Sequence, residues 1–93
     1  MIAIINKNMC AGRIKKILSR YIGEKCAYCG TSYSKKSLTV DHVFPRCLGG
    51  RRTLDNSLLS CRKCNEKKAG RLPDSSEIQK LRRQNVLLGR ALS

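Results

Sequence analysis

The stretch that decides the fold runs from Cys26 to Lys68. It opens with Cys26-Ala27-Tyr28-Cys29, passes through Leu38-Thr39-Val40-Asp41-His42-Val43-Phe44-Pro45 and closes with Cys61-Arg62-Lys63-Cys64-Asn65-Glu66-Lys67-Lys68. Two C-x-x-C pairs thus stand 31 residues apart. Two-residue spacing lets both sulfurs of a pair face one tetrahedral site, and the tight turn between them aims backbone N–H groups at the sulfurs. Two such knuckles make a four-cysteine zinc site, so Cys26, Cys29, Cys61 and Cys64 are the expected Zn2+ ligands. Gly30 follows the first knuckle, where the chain often needs positive φ. A disulfide framework is the competing reading of six cysteines. The apolar start, Met1 to Ile5, is too short for a secretory leader and has neither a basic flank nor a small-residue cleavage site. A disulfide closed within C-x-x-C is usually a redox device. The thiols therefore point to a reducing, cytoplasmic setting. Cys10 and Cys47 belong to neither pair and are expected as small buried or partly buried thiols.

Working outward, 93 residues fit a single domain, expected over residues 1–93. A chain this short buries only about 60% of the surface it exposes when unfolded, so its core is marginal and needs a staple. Structural zinc supplies on the order of 10 kcal/mol of binding free energy, which becomes folding free energy. Lys plus Arg number 20 against 6 Asp plus Glu, a formal charge of +14, which selects a polyanionic partner. A hydrophobic content of 41% is too high for a disordered basic tail. No apolar run approaches the ~20 residues of a membrane span. Aromatic residues make up only 4% of the chain, which argues against base stacking on single strands as the main binding mode.

In residues 11–22, Ile14, Ile17, Leu18, Tyr21 and Ile22 follow the i, i+3, i+4, i+7, i+8 pattern of an amphipathic helix that Gly23 ends. Residues 38–44 are β-rich and read as a strand stopped by Pro45, and residues 57–60 as a second strand entering the second knuckle. Residues 46–55 form a loop whose Gly49-Gly50 pair serves a turn. A short basic helix is expected at 65–72, closed by Pro73. Ser76-Glu77-Ile78-Gln79 reads as a capping box opening a basic amphipathic helix over 76–92. Ile78, Leu81, Leu88 and Leu92 of that helix are expected to face the core, with Leu87 and Ala91 alongside. The fold class is α+β.

The combination C-x-x-C, then T-V-D-H-x-x-P-x-x-x-G-G, then Asn56, then C-x-x-C-N-x-x-K resembles the HNH endonuclease family in its zinc-knuckled branch. The resemblance covers about residues 26–71. It implies a ββα-metal centre, a two-stranded hairpin plus one helix, flanked here by an N-terminal and a C-terminal helix. It implies that Asp41 binds a divalent metal, that Asn65 at the helix start is the second ligand in an H-N-N version of the motif, and that Asn56 holds the inter-strand loop and orients His42. His42, the only histidine in the chain, is the implied general base, and its unperturbed pKa of ~6.5 suits proton abstraction near neutral pH. Two oxygen-type ligands with substrate and water suit Mg2+ or Mn2+. The implied activity is phosphodiester hydrolysis in DNA, double-stranded for preference, by one copy, a homodimer or a larger nuclease assembly.

Each residue also has a plainer role. His42 can be a satisfied strand histidine, Asp41 a partner for one of many arginines, and Asn56 a turn residue beside Asp55. Asn65 can cap a helix or take the left-handed conformation that Gly30 takes after the first knuckle. Arg46, Arg51, Arg52, Lys67, Lys68 and Arg71 surround the motif and are candidate phosphate contacts. A non-catalytic zinc ribbon that binds nucleic acid, or an accessory subunit with a degenerate motif, would keep the cysteines and the charge without needing Asp41, His42, Asn56 and Asn65 at these spacings.

Overall fold

The computed structural model describes residues 2–92, so Met1 and Ser93 of the expected 1–93 domain lie outside it. Three α-helices and one antiparallel ribbon form in the order α1 (Ala11–Tyr21), β1 (Leu38–His42), β2 (Ser57–Cys61), α2 (Arg62–Lys68) and α3 (Ser75–Leu92). Short 3-10 turns at Ile2–Asn6, Lys35–Ser37, Arg46–Leu48 and Leu54–Asn56 complete the path. No described helix is long and apolar enough to cross a membrane. The α+β class and the two-stranded centre are as expected.

The ribbon pairs Leu38 with Cys61 at one end and His42 with Ser57 at the other. Because side chains alternate along a strand, β2 sends Leu59 and Cys61 into one core and Leu58 into another. The larger core joins Ile14 and Leu18 of α1 to Leu38, Leu54 and Leu88. The smaller one packs Val43 and Leu58 against Leu81. Sandwiched between them, β2 is buried at all five positions. Fully burying each aliphatic side chain contributes about 1.5–3 kcal/mol, and so few residues leave a small total.

Several boundaries shift for local reasons. β1 ends at His42, two residues before the expected stop, because the next two amides are diverted to Asn56: Val43 N–H donates to its carbonyl at 2.8 Å and Phe44 N–H to its Oδ1 at 2.9 Å. The short helix begins at Arg62, not 65, and ends at Lys68, not 72. Cys61 at the N-cap has extended backbone, so the second knuckle is itself the helix start, while Ala69 and Gly70 turn left-handed and stop it. The last helix starts at Ser75, and its capping box is Asp74 with Glu77 in place of Ser76 with Gln79. Glu77 N–H donates to Asp74 Oδ1 at 2.8 Å, and Asp74 N–H to Glu77 Oε1 at 2.9 Å. The buried stripe of α3 runs Glu77, Leu81, Gln84 and Leu88. Ile78 and Leu92 are half-buried, and Leu87 and Ala91, expected beside the core, are exposed. Polar members of the stripe are tied down, with Gln84 Nε2 donating to Ser57 O at 2.6 Å. Cys10 and Cys47, expected at least partly buried, are both exposed.

Candidate active site and metal centre

At the Leu38–Cys61 end of the ribbon, the four paired cysteines meet. Their Sγ atoms all lie within 4.8 Å of one another, and Cys29 and Cys61 are 4.0 Å apart. Zinc with ~2.3 Å bonds separates its tetrahedral sulfurs by about 3.8 Å, so the cluster fits that ion. The first knuckle is closed by a bridge between Lys25 and Ser32 and by Cys29 N–H aimed at Cys26 Sγ, 3.5 Å away. Ala27 N–H anchors it to Leu59 O on β2 at 2.8 Å. Protonation preferences differ among Cys29, Cys61 and Cys64. Bonds from the Thr31 hydroxyl and amide hold Cys29 down to about 6, and the Cys64 amide lowers Cys61. Burial pushes Cys64 up to about 12. Four thiolates in one shell repel one another, and a divalent cation removes that conflict.

At the other end lies a cleft of about 260 Å³, lined by Val40, Asp41, His42, Pro45, Arg46, Asn65, Lys68 and Gly70. It is built where α2 packs against β1. Strand alternation sends Asp41 and His42 to opposite faces, yet both border this cleft at the edge. Asp41 is buried, and its Oδ2 accepts a hydrogen bond from the Tyr28 hydroxyl and faces Lys68 Nζ at 3.6 Å. Burial and that bond to Asp41 raise the Tyr28 pKa, so the phenol stays protonated as donor. No described group bonds Asp41 Oδ1 or the Asn65 side chain. Asn65 is neither cap nor left-handed residue: it is the fourth residue of α2, and its helical position excludes both local roles.

His42 is half-buried, with Nδ1 sequestered and without a partner among the described residues. Desolvation lowers its pKa, opposed by Asp41 and reinforced by Arg46, Arg52 and Lys68. The imidazole is thereby kept neutral near pH 7, as a proton acceptor must be. No hydrogen bond among the described residues joins Asn56 to the ring. Its Nδ2 donates to Phe44 O at 3.1 Å and Arg51 O at 2.8 Å, so it fixes the loop after His42 through backbone alone. That loop also requires Gly50, where a Cβ would fall 1.6 Å from Phe44 O.

The expected phosphate contacts divide. Arg46 lines the cleft, and Arg51, Arg52 and Lys67 are exposed. Lys68 is 3% exposed and donates to Val43 O at 2.8 Å and His42 O at 3.3 Å. It is an internal strut and not a free surface cation. Arg71 forms a two-pronged pair with Glu77, both contacts 2.8 Å, which occupies its guanidinium. Sequence reasoning missed Tyr28 and the role of Lys68. The signal for Lys68 was its i+3 spacing from Asn65, which puts both on one helix face. Tyr28 carried no comparable signal, because its contact with Asp41 is made in tertiary structure.

The arrangement presents two oxygen donors, a neutral imidazole and basic residues around one opening, together with a separate four-thiol cluster that can hold a metal such as zinc. No curated protein matches the chain. A family model described as HNH endonuclease matches residues 26–81, more than half of the chain and the whole of both sites. The chain therefore belongs to the HNH endonuclease family, whose domains are generally nucleases.

Proposed function

We propose that the chain is a metal-dependent endonuclease that hydrolyses phosphodiester bonds in DNA, folded as a single domain with its nuclease core at residues 26–71. The observation that supports this most strongly is the convergence of Asp41, His42 and Asn65 on one cleft from two different elements. Zn2+ on Cys26, Cys29, Cys61 and Cys64 is structural. Asp41 Oδ1 and the Asn65 amide oxygen suit Mg2+ or Mn2+, hard ions that take oxygen ligands and keep several waters. Such an ion, when bound, supplies Lewis-acid stabilisation of the phosphate and of the departing 3′ oxygen.

The chain's own groups do the rest. His42 accepts the proton of the attacking water, and the fixed loop behind it limits the ring's freedom, which preserves the attack geometry. Tyr28 and Lys68 hold Asp41 by Oδ2, and Oδ1 has no hydrogen-bond partner among the described residues. Arg46 and Arg52 place positive charge near His42, where an incoming phosphate diester must come. Products carry 5′-phosphate and 3′-hydroxyl ends.

One observation favours a second reading. The Lys68 ammonium beside Asp41 supplies a cation where a metal's charge would act, so the cleft can also be a degenerate one that binds without cutting. Supercoiled plasmid incubated with Mg2+ or Mn2+, beside the same reaction with His42→Ala, separates the two. Nicking by the wild type that the variant lacks supports the endonuclease. Equal nicking by both sinks it. Binding without cleavage, with steep salt dependence, selects the second reading.

A further inference from the structure

Two shallow grooves adjoin the cleft on the side of α1. The nearer runs between α1 and β1 and is lined by Ala11, Gly12, Lys15, Leu38, Thr39 and Val40. The farther is lined by Lys15 and Lys16 of α1, by Lys35 and Lys36 of the turn before β1, and by Gly12. Gly12 and Lys15 are common to both grooves, and Val40 is common to the nearer groove and the cleft. Each depression thus shares a lining residue with the next, in a series from the four lysines to the cleft that His42 lines.

The charge on this path is uncompensated. The ion pairs Arg62–Glu66, Lys68–Asp41 and Arg71–Glu77 involve none of the four lysines, and none of the four lysine ammonium groups has a hydrogen-bond partner among the described residues. No acidic residue except Asp41 lines any part of the path. Glu24 is the only acidic residue before Asp41 in the chain. Holding like charges together without counter-charges is self-repulsive and makes the groove a focus for a polyanion. Two of the four lysines, Lys15 and Lys16, belong to α1, which lies outside the residues matched by the family model.

We propose that this path seats the sugar–phosphate backbone of duplex DNA on one side of the scissile phosphate, with Lys15, Lys16, Lys35 and Lys36 as phosphate contacts. The proposal rests on the DNA-directed reading above. From Leu38 to His42 the strand covers about 13 Å at ~3.3 Å per residue, roughly four base-pair steps at ~3.4 Å each. The lysines therefore grip the duplex some distance from the cut and position it without reading its sequence.

The test uses charge reversals in a His42→Ala background, so that binding is read without cleavage. Lys15→Glu with Lys16→Glu, and separately Lys35→Glu with Lys36→Glu, are each expected to weaken duplex binding at least tenfold. Each pair should also lower the slope of log K against log salt by about 2, at ~0.9 per phosphate lost. Arg82→Glu with Arg83→Glu on the exposed face of α3 makes the same change in net charge and is expected to leave the slope nearly unchanged. An equal fall in that control overturns the proposal, because net charge alone would then explain the effect. Tighter binding of single-stranded DNA or RNA, lost with the same lysines, overturns the duplex occupant. Should a reversal fail to hold one zinc per chain, Lys→Gln at the same pair must give the slope change, or the groove is not used. With His42 intact, undiminished cutting by the lysine variants removes the groove alone. Absence of cutting by the wild type, with the lysine dependence of binding preserved, removes the nuclease reading alone.

Discussion

The four-cysteine cluster and the Asp41–His42 cleft lie at opposite ends of one five-residue ribbon, the first where Leu38 meets Cys61, the second where His42 meets Ser57. At the first end, four donors of one kind crowd together, and no ion pair among the described residues reaches them. At the second, donors of different kinds arrive from separate elements, and a lysine ammonium already stands beside the carboxylate. As thiolates, the donors of the first end cannot be charge-balanced without a metal. Those of the second can. In the proposed reading, the difference separates a metal that would make the fold from a metal that would work on it.

The largest effect should therefore follow loss of the thiolate site. A strong chelator, or Cys61→Ser, removes on the order of 10 kcal/mol of binding free energy from a core of few aliphatic residues. Circular dichroism is expected to show global unfolding, with one zinc released per chain. A chelated chain that kept its helices would show that the aliphatic cores suffice and that the two ends do not differ in this way.

At the other end, His42→Ala is expected to lower cleavage by roughly 10²–10⁴-fold, the usual contribution of a positioned general base, with zinc content unchanged. The pH profile sharpens this. Desolvation lowers the His42 pKa, so the neutral, proton-accepting form persists below the ordinary imidazole value of ~6.5. Activity should hold as pH falls from about 7.5 toward ~6.5 and be lost only below that. An acid limb centred above ~6.5 would contradict the half-buried ring with its unpartnered Nδ1.

Lys68 tests whether the cleft is truly balanced by protein alone. Lys68→Met leaves Asp41 buried with only the Tyr28 hydroxyl, and it strips Val43 O of its ammonium donor. Breaking a buried ion pair from one side costs about 3–5 kcal/mol. Thermal denaturation should show that loss, and millimolar Mg2+ should restore part of it in the variant more than in the wild type. Equal response of the two proteins to Mg2+ would mean that the ammonium and the divalent ion do not act on the same carboxylate.

The same contrast explains what could be read from the sequence. The thiolate site depends on spacing within two short turns, and C-x-x-C carries that spacing openly. Asp41, His42 and Asn65 stand out in the sequence because their separations resemble a family pattern, and the fold brings the three to one cleft. The 65–72 helix was misplaced because the knuckle's extended Cys61 starts α2 directly, a cap with no side-chain bond to announce it. Residues 43–44 were read as strand on composition, but Asn56 takes their N–H groups from twelve or thirteen residues along the chain. Lys68 looked like a surface cation because lysine rarely goes inside unpaired. Its partners are two backbone carbonyls that accept its hydrogen bonds and a carboxylate that pairs its charge, which only the fold brings together.

Tyr28 connects the two ends and carries the smallest predicted effect. It lies between Cys26 and Cys29 of the four-thiol cluster, while its hydroxyl bonds Asp41 and its ring and carbonyl hold Lys80 of α3. Tyr28→Phe keeps the ring and removes one hydrogen bond, which costs about 1 kcal/mol of stability. Thiolate geometry is untouched, so zinc stoichiometry should not change. Asp41, however, loses the donor that fixes Oδ2. Loss of such an outer partner typically weakens metal binding by roughly 10–100-fold, so calorimetric titration with Mn2+ should show a drop toward that range. Unchanged Mn2+ affinity would mean that Lys68 alone orients Asp41. The two ends would then share a ribbon without any energetic link through the knuckle.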